Sequence, residues 1–219
     1  MSLIVCPGMH SPALTESLLA DLDAANQTSS TARIQYSIFP SDRYPPYSAF
    51  HILETLYEWV GKPGQSLEQS GQISSGSVST SSRSGSSNSS LVFLSFSAGV
   101  VGAIGAARTW QRSGGEVKAF IAVDGWGVPL RGNFPLYRLS HDFFTHWSSA
   151  PLGATTASFY AEPPVLHLEL WRSPHTTYGY QMAGGERSPF PVLDNATQQR
   201  TTAATFLNNL LDYHGEFVT

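Results

Sequence analysis

Short apolar runs and amphipathic helical repeats take turns along this chain. Leu3, Ile4, Val5 and Cys6 form a continuous apolar run that stops at Pro7-Gly8, the pattern of a buried strand entering a loop. From Pro12 onward Leu14, Leu18, Leu19 and Leu22 recur at helical spacing, with Asp21 and Asp23 on the other face, which predicts an amphipathic helix. A polar break over 26–31 ends it. Ile34, Tyr36, Ile38 and Phe39 then read as a strand stopped by Pro40, and a helix over 48–60 carries Ile52, Leu53, Leu56 and Tyr57 on one face. The pattern resumes with Leu91 to Leu94 as a buried strand, a turn at 95–99, a small-residue helix over 98–112 closed by Gly114-Gly115, and a strand over 117–123. Val165 to Trp171 (VLHLELW) predicts the last strong strand, and 197–213 the terminal helix. Strands alternating with helices imply an α/β fold, a mostly parallel sheet with helices on both faces.

One stretch departs from this alternation. Residues 64–90 are close to half serine, with few large apolar groups. Such a segment cannot bury enough surface to offset its ordering entropy, and it reads as a flexible surface insertion in a single domain spanning 1–219. Charged residues make up 13% of the 219, against about 25% in an average domain, so the surface leans on Ser, Thr, Asn and Gln. The formal charge of −4 and the absence of any basic block argue against nucleic acid and anionic membranes as partners. The single cysteine, Cys6, forms no CxxC pair, and no HExxH is present, so neither an internal disulfide, a metal nor a cofactor is expected. A reducing cytoplasmic setting fits. No apolar run reaches the roughly 18–20 residues of a membrane span, and no signal peptide is visible.

The chemistry concentrates in one turn. Ser95-Phe96-Ser97-Ala98-Gly99 follows an apolar strand and precedes a helix rich in Ala and Gly. That is the setting of a nucleophile elbow, where GxSxG places small residues around a serine held in a strained turn. Here Ser95 stands for the first glycine. Gly102, Gly105, Ala103, Ala106 and Ala107 suit a helix packed close to the sheet. The plain alternative is a tight strand-to-helix turn without chemistry.

On this elbow, the strand order and the Pro7-Gly8-Met9-His10 loop after the first strand, the chain resembles the α/β-hydrolase family, in particular its small, nearly lidless members. VDGWGVPL (123–130) and SHDFFTHW (140–147) further resemble a hydrolase-like group of photosynthetic bacteria. The resemblance covers most of the chain outside 64–90. It implies Ser97 as nucleophile, with the backbone N–H groups of Ala98 and Met9 as oxyanion donors. It also implies Asp124, after the strand adjoining the elbow, as the acid; the alternative is an Asp capping a turn before Gly125.

A serine nucleophile needs a histidine within hydrogen-bond reach. The family order places it after the last strand, where His175 lies. His141 and His146 sit in the dense aromatic stretch SHDFFTHW, and His10 lies on the presumed oxyanion loop. His167 alternates into the sheet and reads as a core histidine; His214 reads as solvated. The connection over 126–160 carries Trp126, Phe134, Tyr137, Phe143, Phe144, Trp147 and Phe159, either a roof favouring an apolar acyl or aryl group or a small satellite core. The expected function is hydrolysis of a small-molecule ester or thioester through an acyl-enzyme on Ser97. The rivals are a hydrolase-fold protein that binds a ligand or protein partner without turnover, and acyl transfer to an acceptor other than water.

Overall fold

Period-two alternation along the strands decides the layering. The computed structural model describes residues 3–27, 33–63, 90–184 and 198–218; the Ser-rich insertion predicted over 64–90 lies, apart from Ser90, outside them. The chain begins β1 (Leu3–Cys6), α1 (Pro12–Gln27), β2 (Arg33–Ile34), β3 (Tyr36–Ile38) and α2 (Ala49–Val60). It continues β4 (Ser90–Phe96), α3 (Ala98–Arg112), β5 (Glu116–Val123), β6 (Leu136–Ser140), α4 (Phe143–Ser149) and β7 (Ala157–Ala161). Last come α5 (His167–Arg172), β8 (Tyr178–Ala183), β9 (Gln198–Thr202), α6 (Ala203–Tyr213) and β10 (Phe217–Val218).

Eight strands form one sheet in the order β3-β1-β4-β5-β6-β7-β8-β9. The first six are parallel, and β8 and β9 are antiparallel additions. Leu3, Val5, Val92, Leu94, Ile121 and Phe159 face a core shared with α1, α5 and α6, whereas Ile4, Cys6, Phe93, Phe120 and Ala122 face one shared with α2 and α3. Burial on both faces explains why β1, β4 and β5 read as unbroken apolar runs.

The chain leaves β1 for β3 on one side and returns to β4 on the other. Strand order therefore reverses between β1 and β4, the switch point at whose carboxyl edge α/β sheets in general form a ligand crevice. Ser97 and the Pro7-Gly8 loop both lie at that edge.

Three expectations change. Residues 165–171 do not form a strand: Leu166 caps α5, which turns Leu170 and Trp171 inward while Leu168 faces out. The i, i+4 pair His167 and Trp171 both stack on Phe96 with centroids 4.8 Å apart, so helical period fits the contacts better than alternation. The connection over 126–160 holds two further parallel strands, β6 and β7. Their apolar pattern is interrupted by the in-register pair Arg138 and Ser158, and Arg138 is buried with Nη1 donating to Ser149 O at 2.7 Å. At the C-terminal end the helix starts at Ala203, capped by Thr202, whose side chain accepts from Thr205 N; 198–202 instead form the polar strand β9.

Candidate active site

Strand register puts Ser97 and Asp124 side by side. Phe96 and Val123 are partners across β4 and β5, so the next residues, Ser97 and Asp124, are neighbours where the strands end. Both have left-handed backbone, with φ of 52° at Ser97 and 54° at Asp124, a conformation that costs a side-chain-bearing residue about 1–3 kcal/mol. Backbone bonds hold them there: Ser97 N–H donates to Val123 O at 2.9 Å, and Asp124 N–H to Leu139 O at 2.8 Å. Although Ser97 occupies the N-cap of α3, its hydroxyl makes no cap bond and points elsewhere.

It meets His167. Ser97 Oγ lies 3.0 Å from His167 Nε2, and His167 Nδ1 lies 2.7 Å from Asp124 Oδ2. With Nδ1–H donating to the carboxylate, Nε2 presents its lone pair to the serine hydroxyl, which is the tautomer a general base requires. Asp124 is buried. Burial alone would push its proton affinity up, but bonds from His141 and His167 outweigh that and hold the carboxyl below its usual range, keeping it ionised.

The crevice is narrow because glycines allow backbone to meet backbone. A Cβ on Gly8 would lie 2.9 Å from Ser97 Cβ, and one on Gly99 would lie 2.3 Å from Cys6 O. The loop after β1 thus runs against the N-terminus of α3. Ala98 opens that helix, where N–H groups have no partner within the helix, and Met9 follows Gly8 with its side chain in solvent. Beside Ser97 opens a pocket of about 350 Å³. Val101, Trp126 and Val128 line its apolar side, and Ser97, Asp124, His141 and His167 its polar side; among the described residues no Lys or Arg lines it.

The other predicted histidines divide. His141 reaches Asp124, with Nδ1 2.9 Å from Oδ1. His175 does not approach the serine: it is largely exposed, and its Nδ1 lies 3.3 Å from Asp21 Oδ2 on the surface. His146 packs against the Tyr160 ring, centroids 5.2 Å apart, where burial and then the Arg138 charge lower its proton affinity. His10 sits behind the site, 5.4 Å from the Phe96 ring and bonded to Thr15 Oγ1. His167, read from sequence as a core residue, is the one at the serine, and its side chain is 43% exposed. The missed signal was the i, i+4 spacing of His167 and Trp171. Nor is His214 merely solvated, since its Nε2 bonds Tyr137 Oη at 3.0 Å. Of the aromatic stretch, Trp126, Phe143, Phe144 and Trp147 are exposed, whereas Phe134, Tyr137 and Phe159 belong to the two cores.

Asp124, His141 and His167 also bring donor atoms within 4.8 Å of one another, a clustering that a bound cation would also need. Two ligands of one tetrahedral ion with bonds near 2.1 Å stand about 3.4 Å apart. The nitrogen–oxygen contacts of 2.7 and 2.9 Å are shorter and fit shared protons instead. No protein-family model matches the chain, and no curated protein matches it. Among the described residues no helix is long and apolar enough to cross a membrane.

Proposed function

We propose that this chain is a serine hydrolase of α/β-hydrolase type, cleaving an uncharged ester or thioester with a compact apolar acyl group. The observation that carries the reading is the hydrogen-bonded series Ser97 Oγ, His167, Asp124, with contacts of 3.0 and 2.7 Å. Its members follow the order Ser, Asp, His along the chain, which is the α/β-hydrolase order. The strained backbone of Ser97 and its place at the strand reversal support it further.

In this mechanism Ser97 Oγ attacks the substrate carbonyl carbon as its proton passes to His167 Nε2. Asp124 steadies the resulting imidazolium. The N–H groups of Ala98 and Met9 receive the oxyanion, a contribution worth about 3 kcal/mol for each donor. The tetrahedral centre collapses, the bond to the alcohol or thiol breaks, and His167 gives its proton to that leaving group. Water then attacks the acyl-enzyme carbonyl as His167 Nε2 accepts its proton, the bond from the acyl carbon to Ser97 Oγ breaks, His167 returns the proton to Oγ, and the carboxylic acid leaves. The apolar side formed by Val101, Trp126 and Val128 favours an uncharged acyl chain, and about 350 Å³ sits at the small end of ligand pockets.

Intact-mass analysis after treatment with a fluorophosphonate tests the reading. One adduct on the wild type, lost in Ser97→Ala and strongly slowed in His167→Ala, is the expected result. A folded wild-type protein that takes no adduct would overturn it. The reading would then pass to a ligand-binding protein without turnover, using the exposed Trp126, Phe143, Phe144 and Trp147.

A further inference from the structure

Asp124 accepts more hydrogen bonds than the orientation of one histidine requires. His141 donates its backbone N–H to Oδ1 at 3.0 Å, its Nδ1 lies 2.9 Å from Oδ1 and 2.8 Å from Oδ2, and His167 Nδ1 lies 2.7 Å from Oδ2. The series continues outward, since His141 Nε2 lies 3.4 Å from Asp142 Oδ2. Asp142 is itself fixed, because its carboxylate caps α4 by accepting from Thr145 N–H at 2.6 Å. The rings of His141 and His167 meet edge to face with centroids 6.0 Å apart.

We propose that His141 is a positioning residue of the Ser97 centre: it clamps the Asp124 carboxylate through two donors, and the proton on its Nε2 sets how much of that carboxylate's charge supports His167. This rests on the hydrolase reading of Ser97 and makes it more specific.

The clamp acts through geometry. The backbone N–H of His141 on Oδ1, its Nδ1–H shared between the two oxygens and His167 on Oδ2 together fix the plane of the carboxylate, and a misplacement near 1 Å in such a series costs about 10²-fold in rate. The proton acts through charge. Neutral His141 keeps its Nδ1–H on Asp124 and a lone pair at Nε2; uptake of a proton at Nε2, facing Asp142, makes the ring cationic. When His167 then takes the Ser97 proton, two like charges stand about 6 Å apart and share one carboxylate. At that separation in a partly screened site the repulsion slows the step about tenfold or more.

The charged groups facing His141 are Asp124, Asp142 and, once protonated, His167. The bond to Asp124 raises the proton affinity of His141 above the ordinary histidine range, opposed by burial and aided by the charges of both aspartates. Activity therefore climbs as pH rises through the His141 transition, and the acid limb contains two coupled ionisations in place of one.

The rate of fluorophosphonate labelling of Ser97 against pH tests this, in wild type, His141→Asn, His141→Ala and Asp142→Asn. Asn can place an amide N–H where Nδ1–H sits, keeping the clamp without a titrating ring. Wild type should show an acid limb steeper than one ionisation, and His141→Asn a single ionisation, retaining about tenfold more of its own plateau rate at the acid end. Asp142→Asn preserves the helix cap and should move the limb to lower pH, because one of the charges that raises the proton affinity of His141 is gone. His141→Ala should lose about 10²-fold throughout. Superimposable normalised profiles for wild type and His141→Asn, with wild-type rates in His141→Ala, would overturn the proposal. Absence of labelling in wild type would instead strike the hydrolase reading. Ring-nitrogen NMR titration then decides for His141 alone: a transition above the ordinary histidine range that falls in Asp142→Asn supports the proton role, and an ordinary transition unmoved by that change overturns it.

Discussion

Gly99 lacks a side chain where the end of β1 presses on α3, and replacing it reports on both stability and the oxyanion crevice. In Gly99→Ala the new Cβ would lie 2.3 Å from Cys6 O and 2.4 Å from Pro7 O, whereas real Cβ contacts essentially never fall below 3.0 Å. The two elements must therefore part by about 0.7 Å, the difference between 3.0 and 2.3 Å. Cys6 cannot turn aside, because β1 is paired on both edges, with Cys6 opposite Ser95. Overpacking of this kind costs about 1–3 kcal/mol, and at about 2–4 °C per kcal/mol for a chain of this size the melting temperature should drop by about 2–12 °C. The same movement draws the Pro7-Gly8-Met9 loop away from Ala98, the two segments proposed to supply oxyanion N–H groups, so labelling of Ser97 should slow by up to about 10²-fold. Gly102→Ala is the control. Its Cβ would lie 2.4 Å from Pro46 O, away from the loop, so melting should drop comparably while labelling stays within a few-fold of wild type. Thermal melts and labelling rates on the same preparations decide it. Unchanged melting and labelling in Gly99→Ala, or equal labelling losses in the two variants, would refute the reasoning.

Two further outcomes are expected. Ser97→Gly removes the Cβ that makes φ 52° costly; even after the extra unfolded-state freedom of glycine it should gain about 0.5–2 kcal/mol while losing all labelling, and a lower melting temperature would show that the turn carries no strain. Burial, then the charge of Lys118, lowers the proton affinity of His214 from 6.5 to about 4. Below pH 6.5 the unfolded chain thus binds a proton that the folded one refuses, and stability should decline as pH falls towards about 4. His214→Gln keeps a polar partner for Tyr137 Oη, and denaturant midpoints measured across that range should flatten in it.

The sequence alone determined the α/β class, the strand–turn–helix around Ser97, and the placing of Asp124 after the neighbouring strand. These features are local: apolar runs buried on both faces, small residues where backbones meet, and a residue that directly follows a strand. The strands β6 and β9 were hidden because Arg138 lies inside one and QQRTT makes up the other, so neither carries the apolar pattern by which a strand is recognised. Which histidine meets Ser97 was only faintly marked in local pattern, by the i, i+4 spacing of His167 and Trp171. His167 is 70 residues from Ser97, and a six-residue segment such as α5 fits helical and alternating readings equally well. Only the packed structure chooses between them. Phe96 receives both His167 and Trp171, Asp124 holds the imidazole from its other side, and these long-range contacts, absent from any window of sequence, decide which of the histidines meets the serine.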